Sequence, residues 1–162
     1  MLKYFASEQQ KERCIRALEL SIDMWKRMTP VRYMKRDRLA EMRKDGTIPK
    51  DSDPENYCFL CQYVKEETFS PENKDDIPTY CLHSGLNCTD FCPVCWDKKY
   101  NPENQEKDDT ICQMYGTSYD HYRQAVGWDQ KETALRDMIS LLEQSLEQVK
   151  QMPINRKEGT LC

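Results

Sequence analysis

Glycine is scarce in this chain, with five residues in 162. A phosphate-cradling loop needs clustered glycines, so a nucleotide site of that kind is excluded. Histidine is scarcer still: only His83 and His121 are present. No H-E-x-x-H, G-x-S-x-G or nucleotide-deaminase signature occurs, and no active site assembles from the residues that remain. The expectation is a protein that is not an enzyme. His83 reads as an exposed loop residue with metal ligation as the sharper alternative, and His121 as a surface or hydrogen-bonded residue. Long apolar runs are also missing. Nothing approaches the roughly 18 consecutive apolar residues of a membrane helix. The opening "MLKYFASEQQKERC" lacks the apolar stretch and small-residue cleavage site of a secretory signal. A cytoplasmic protein without a membrane partner is expected.

Cysteine, by contrast, is abundant. Nine are present, seven of them between residues 57 and 116. Thiols stay reduced in the cytoplasm, and an odd count cannot pair completely within one chain. Both facts favour metal over disulfides. Cys58 and Cys61 form one C-x-x-C pair, Cys92 and Cys95 another, and Cys88 precedes Cys92 by four positions. Two such knuckles about thirty residues apart carry the spacing of a tetrahedral zinc site, in which each pair delivers two thiolates to one ion. Neither pair reads as following a strand and opening a helix, which argues against a thioredoxin-like dithiol.

Composition points the same way. Hydrophobic residues are 38% and charged residues 32%, with a mean hydropathy of −0.90. The apolar residues cluster toward the two ends, so the middle cannot build a conventional core and needs a staple. "CIRALELSIDMWKRM" places Ile15, Leu18, Ile22, Trp25 and Met28 on one helical face, which predicts a helix over 7–28. "VRYMKRDRLAEMRKDG" continues as a weaker helix ending near Gly46, so that the N-terminal helices cover 7–45. Near the other end, Leu135, Met138, Leu142, Leu146 and Val149 trace a second amphipathic helix over 129–152, with "DQKE" at Asp129 to Glu132 as its capping box. The segment 57–116 between them reads as loops, with room for short hairpins around the cysteine pairs. The expected architecture is a single mainly α domain over 1–162. In it, two long amphipathic helices pack together, with a zinc-stapled, loop-rich lobe between them in sequence.

Charge is distributed unevenly. Residues 26–50 carry nine Lys/Arg against three acids, and residues 51–109 carry fourteen acids against five Lys. The basic stretch 26–44, which includes Arg32, Lys35 and Arg36, can hold phosphates while aromatic faces stack on bases. It can equally present a cationic face to a partner protein or pack against the acidic middle. Tyr119 and Tyr122, close to Tyr115 and Trp128, form an aromatic cluster of a type enriched at interaction hot spots. Packing around the metal is the alternative.

The pieces "RALELSIDMWKRM" (16–28), "YCFLCQYV" (57–64), "CTDFCPVCW" (88–96) and "ICQMYGTSYDHYRQA" (111–125) occur here in order. In that order the chain resembles a family of small cysteine-rich proteins encoded by tailed bacteriophages. The resemblance implies one structural Zn2+ held by Cys58, Cys61, Cys92 and Cys112, with Cys88 as the alternative to Cys92. Three residues rather than two separate Cys88 from Cys92, which departs from the family spacing. Cys81 and Cys95 read as buried or free thiols, with a second site on Cys81, His83, Cys88 and Cys95 as the sharper alternative. A shell of four cysteines leaves no open position for substrate and is structural. The resemblance further implies a phage accessory product that binds a host protein, as an anti-defence or host-takeover inhibitor; the basic stretch and the aromatic cluster supply Arg32, Lys35, Arg36, Tyr119 and Tyr122 as candidate partner-binding residues. The alternatives are a zinc-finger-like nucleic-acid binder using 26–44 and a protein that sequesters a small ligand such as a nucleotide.

Overall fold

The computed structural model describes residues 5–28, 35–52, 58–68, 92–94 and 117–154. They are mainly helical, in five helices, with no strand among them. Helix α1 (Glu8–Arg27) starts at Ser7, whose Oγ accepts the Gln10 backbone N–H at 3.1 Å. Such a cap satisfies one of the donors left open at a helix start. The buried face of α1 carries Cys14, Leu18, Ile22 and Trp25, in the three- and four-residue steps that an amphipathic helix requires.

Helix α2 (Lys35–Lys44) buries Leu39 and Met42. It runs out through Gly46, whose φ of +80° is a left-handed position that a side chain would strain. Helix α3 (Phe59–Thr68) buries Phe59, Leu60, Tyr63, Val64 and Glu67. This helix replaces the loops and hairpins expected around the first cysteine pair. Its apolar positions recur at helical spacing, and Cys58 stands directly before its first turn. Helix α4 (Ser118–Gln124) is capped by Thr117, whose Oγ1 accepts from the Asp120 N–H at 3.1 Å. Helix α5 (Trp128–Gln151) follows after three residues and buries Ala134, Leu135, Met138, Leu142 and Val149.

The start of α5 differs from the expected capping box. Its N-cap is Gly127, with no side-chain cap bond, and Asp129 lies inside the first turn, where its carbonyl accepts from Thr133 Oγ1 at 2.8 Å. The short connection from α4 fixes the start earlier than the box would. An acid at that place still complements the positive end of the helix dipole.

Helix α1 packs against α2, α3 and α5, and α4 packs against α5. Two polar devices fix the N-terminal part of α1. The Glu67 carboxylate, 1% exposed, accepts from Gln10 Nε2 at 2.9 Å and from two guanidinium nitrogens of Arg13 at 3.0 and 2.7 Å. A buried carboxylate is tolerated only with such partners. Near the chain ends, Phe5 N–H donates to the Pro153 carbonyl at 3.1 Å in a parallel bridge. Lys11 Nζ donates to the Lys150 and Met152 carbonyls at 2.8 and 2.9 Å, which satisfies the open acceptors at the end of α5.

At the C-terminal end of α1, Arg27 bonds Asp23, Asp45 and Thr47, tying its last turn to the segment after α2. The Thr47 side chain and the Arg27 guanidinium hold the Asp45 carboxyl down at about 2.

Candidate functional site

The described cysteines lie on or near α1 and α3: Cys14 on α1, Cys58 and Cys61 at the start of α3, and Cys92 packed against the core. Cys58 occupies the position before α3, with its carbonyl accepting the Gln62 N–H at 3.0 Å. Its sulfur receives the Cys61 thiol, the field of Lys35, and the backbone N–H groups of Cys61 and Leu60. These donors, the Cys61 thiol first, outweigh burial and hold the Cys58 thiol down at about 6. The thiolate is the form that binds a metal ion. Cys58 and Cys61 thus stand at a helix start, while the residues just before Cys58, where a thioredoxin-like dithiol would have a strand, lie outside the described residues. A helix N-terminus is a place where backbone donors stabilise a sulfur anion.

Cys14 presents the opposite case. It lies fully buried on α1, and burial pushes its thiol up to about 12, with the negative charges of Cys92 and Glu67 acting in the same direction and the Tyr63 hydroxyl offsetting them. Burial also raises Tyr63, whose hydroxyl lies beside Cys14 without an ordinary hydrogen bond to any described residue. Cys92 is half-buried against the core, while Pro93 and Val94 behind it are buried. Hence the segment bearing Cys92 docks near Cys14.

Of the four expected ligands, the structure brings Cys58 and Cys61 into contact and sets Cys92 on the same core. Cys112 lies outside the described residues, as do Cys81, His83, Cys88 and Cys95. Among the described residues no three metal-ligating side chains converge on one point. The donor chemistry at Cys58 and Cys61, two sulfurs in contact at a helix start whose donors lower the Cys58 thiol, fits one half of a thiolate metal site.

The candidate partner residues divide. Lys35 Nζ stands 4.7 Å from the ring centroids of both Trp25 and Tyr119 and donates to Tyr119 Oη at 3.2 Å. Trp25 meets Tyr119 and Tyr122 edge-on at 6.1 and 5.3 Å. Cation–π and edge-to-face contacts of this kind join elements as well as ligands. Lys35, Tyr119 and Tyr122 thus pin α2 and α4 to the end of α1, and Tyr122 is raised by burial. Arg36 is exposed, 3.8 Å from Asp37, and Arg32 lies outside the described residues. His121 is half-buried within α4, where its carbonyl accepts the Ala125 N–H at 2.9 Å.

Of the corner between α4 and α5, the sequence offered Trp128 as a member of the aromatic cluster but not Val126 or the exposure of the pair. Val126 is 96% exposed and Trp128 is 56% exposed. Lys131 Nζ lies 5.9 Å from both the Tyr122 and Trp128 rings. The available signal was "AVGW", an apolar pair interrupted by a glycine between two helical patterns.

No family model matches the chain, and no curated protein or solved structure shows significant similarity to it. Among the described residues, no helix is long and apolar enough to cross a membrane.

Proposed function

We propose that this chain is a non-enzymatic, zinc-stapled helical protein that works by occupying another protein. Its docking surface is the corner between α4 and α5. The observation that carries this reading is the pair of large apolar side chains, Val126 and Trp128, held out to solvent by an otherwise well-packed helical hairpin. Tryptophan beside a cation is the composition of an interface hot spot, and Lys131 supplies the cation. One structural Zn2+ on Cys58, Cys61, Cys92 and Cys112 completes the fold of the middle segment, because ligand binding energy becomes folding energy in such sites. The resemblance to phage cysteine-rich proteins supports a host protein as the partner, and an anti-defence or takeover role as the outcome.

The test is capture from lysates of bacterial host strains with wild-type protein and a Trp128→Glu/Val126→Glu variant. The reading predicts a stoichiometric complex that survives moderate salt with wild type and disappears with the variant, while the variant keeps its melting temperature. Retention of the same partner by the variant would sink the assignment of this corner. Recovery of nucleic acid, with binding that falls steeply as salt rises, would replace it with the basic-stretch reading.

A further inference from the structure

We propose that Lys35 is a positioning residue of the thiolate site: its ammonium, fixed between two aromatic rings, balances the negative charge that Cys58 and Cys61 bring to a zinc ion. This deepens the zinc reading above and rests on it. Lys35 opens α2, Trp25 lies in the last turn of α1, and Tyr119 stands in α4. Lys35 Nζ is 4.7 Å from the ring centroids of both Trp25 and Tyr119 and donates to Tyr119 Oη at 3.2 Å. Trp25 is buried, and Tyr122 meets it edge-on at 5.3 Å, so the cage around the ammonium is itself held in place. Restraining a free lysine side chain costs up to about 2 kcal/mol. Here the rings hold it through contacts that need no metal, and its charge stands ready.

The sulfurs need such a charge. A zinc ion with four thiolates carries a net charge of about −2, and burying surplus charge without a counter-charge is costly. The Cys58 sulfur is reached by the Cys61 thiol, by the field of Lys35 and by the backbone N–H groups of Cys61 and Leu60. When a metal takes both sulfurs, the Cys61 proton leaves, and that donor is lost. The amides and the ammonium stay, and of these Lys35 alone carries a full charge. Polar partners that support metal-binding side chains typically change metal affinity by roughly ten- to a hundredfold. Arg36, the next cation along α2, is exposed beside Asp37 at 3.8 Å. It has the same charge without the cage and serves as the control.

The experiment is zinc competition against a chromogenic chelator on the purified full chain, comparing wild type with Lys35→Met, Lys35→Arg and Arg36→Met. Lys35→Met should bind zinc about tenfold or more weakly. Lys35→Arg keeps the charge and stacks on aromatic faces as well, so it should stay within about threefold of wild type, as should Arg36→Met. Cobalt(II) loaded in place of zinc gives a reading that looser packing would not move. Removing a cation from beside a thiolate raises the energy of the sulfur electrons. The sulfur-to-cobalt charge-transfer band should therefore shift to longer wavelength in Lys35→Met and not in Arg36→Met. The position of that band is independent of how much protein is loaded, so it decides the matter even if Lys35→Met folds poorly. Wild-type zinc affinity or an unmoved cobalt band in Lys35→Met, or equal weakening in Arg36→Met, would overturn the role of Lys35 and leave the zinc reading standing. A wild-type chain that binds no zinc would overturn both.

Discussion

At the scale of single residues, two thiols of one chain are driven in opposite directions by their surroundings. Cys58 gains donors at a helix start and is held down at about 6, whereas for Cys14 burial outweighs the Tyr63 hydroxyl and pushes the thiol up to about 12. Neither fate follows from the C-x-x-C spacing, because both depend on what packs against the sulfur. The sign of the resulting pH dependence can be worked out for Cys14. An ordinary thiol, such as that of the unfolded chain, titrates near 9.0. Above that pH the unfolded chain releases a proton that the folded chain retains, so stability is fully present below about 9 and falls as pH rises toward 12. The slope is at most about 1.4 kcal/mol per pH unit for one such group. Replacing Cys14 by Ala should cost about 1 kcal/mol at neutral pH, and the gap between variant and wild type should shrink between pH 9 and 10.5. Urea midpoints at pH 7, 9 and 10.5 measure this. A gap that stays constant over that range would show that the Cys14 proton plays no part.

Among the elements, the long helices were legible and the short ones were not, for physical reasons. The span of α1 was expected over 7–28 and observed as Glu8–Arg27, because a serine cap and a long periodic stripe agree. The C-terminal helix was expected over 129–152 and observed as Trp128–Gln151. Only its cap was misread, since the three-residue link from α4 outranks a capping box that fits by sequence alone. Helix α3 was hidden because its buried face includes Glu67, a residue that reads as solvated until Gln10 and Arg13 are seen to close over it. The end of α5 depends on an equally nonlocal device, the Lys11 ammonium on the Lys150 and Met152 carbonyls. Lys11→Met keeps the apolar stem and removes both bonds. It should lower stability by about 1 kcal/mol. Amide exchange at Met152, which donates to the Val149 carbonyl at 3.1 Å, should accelerate ahead of the rest of the helix. Unchanged exchange there would mean that the terminal bridge at Phe5 alone holds this end.

For the whole molecule, the question is what joins the cysteine-bearing middle to the helical core. Of the residues between 69 and 116, those described are Cys92, Pro93 and Val94, and they lie against the core next to Cys14. The sequence conveyed that this middle carries too little apolar surface to hold itself in place, but not that its anchor would cover a thiol on α1. If a zinc ion links Cys92 to Cys58 and Cys61, its removal should release Val94 from the core and uncover Cys14 together. The expected metal content, by native mass spectrometry of protein purified without added metal, is one zinc per chain. Treatment with a strong chelator at pH 7.5 should lower the melting temperature and convert Cys14 from protected to reactive toward iodoacetamide, read by peptide mapping. Returning zinc should restore both. Protein that carries no metal but shows mass deficits from paired thiols would identify the middle as disulfide-linked. Protein that loses its zinc while Cys14 stays protected would mean that Cys92 is held by packing alone and that the ion sits elsewhere. Chelator-linked exposure of a buried thiol on α1 is the outcome that requires the ion and the core to be one structure, because α1 carries no expected ligand and responds only through the ligand-bearing elements packed on it, the Cys92 segment and α3.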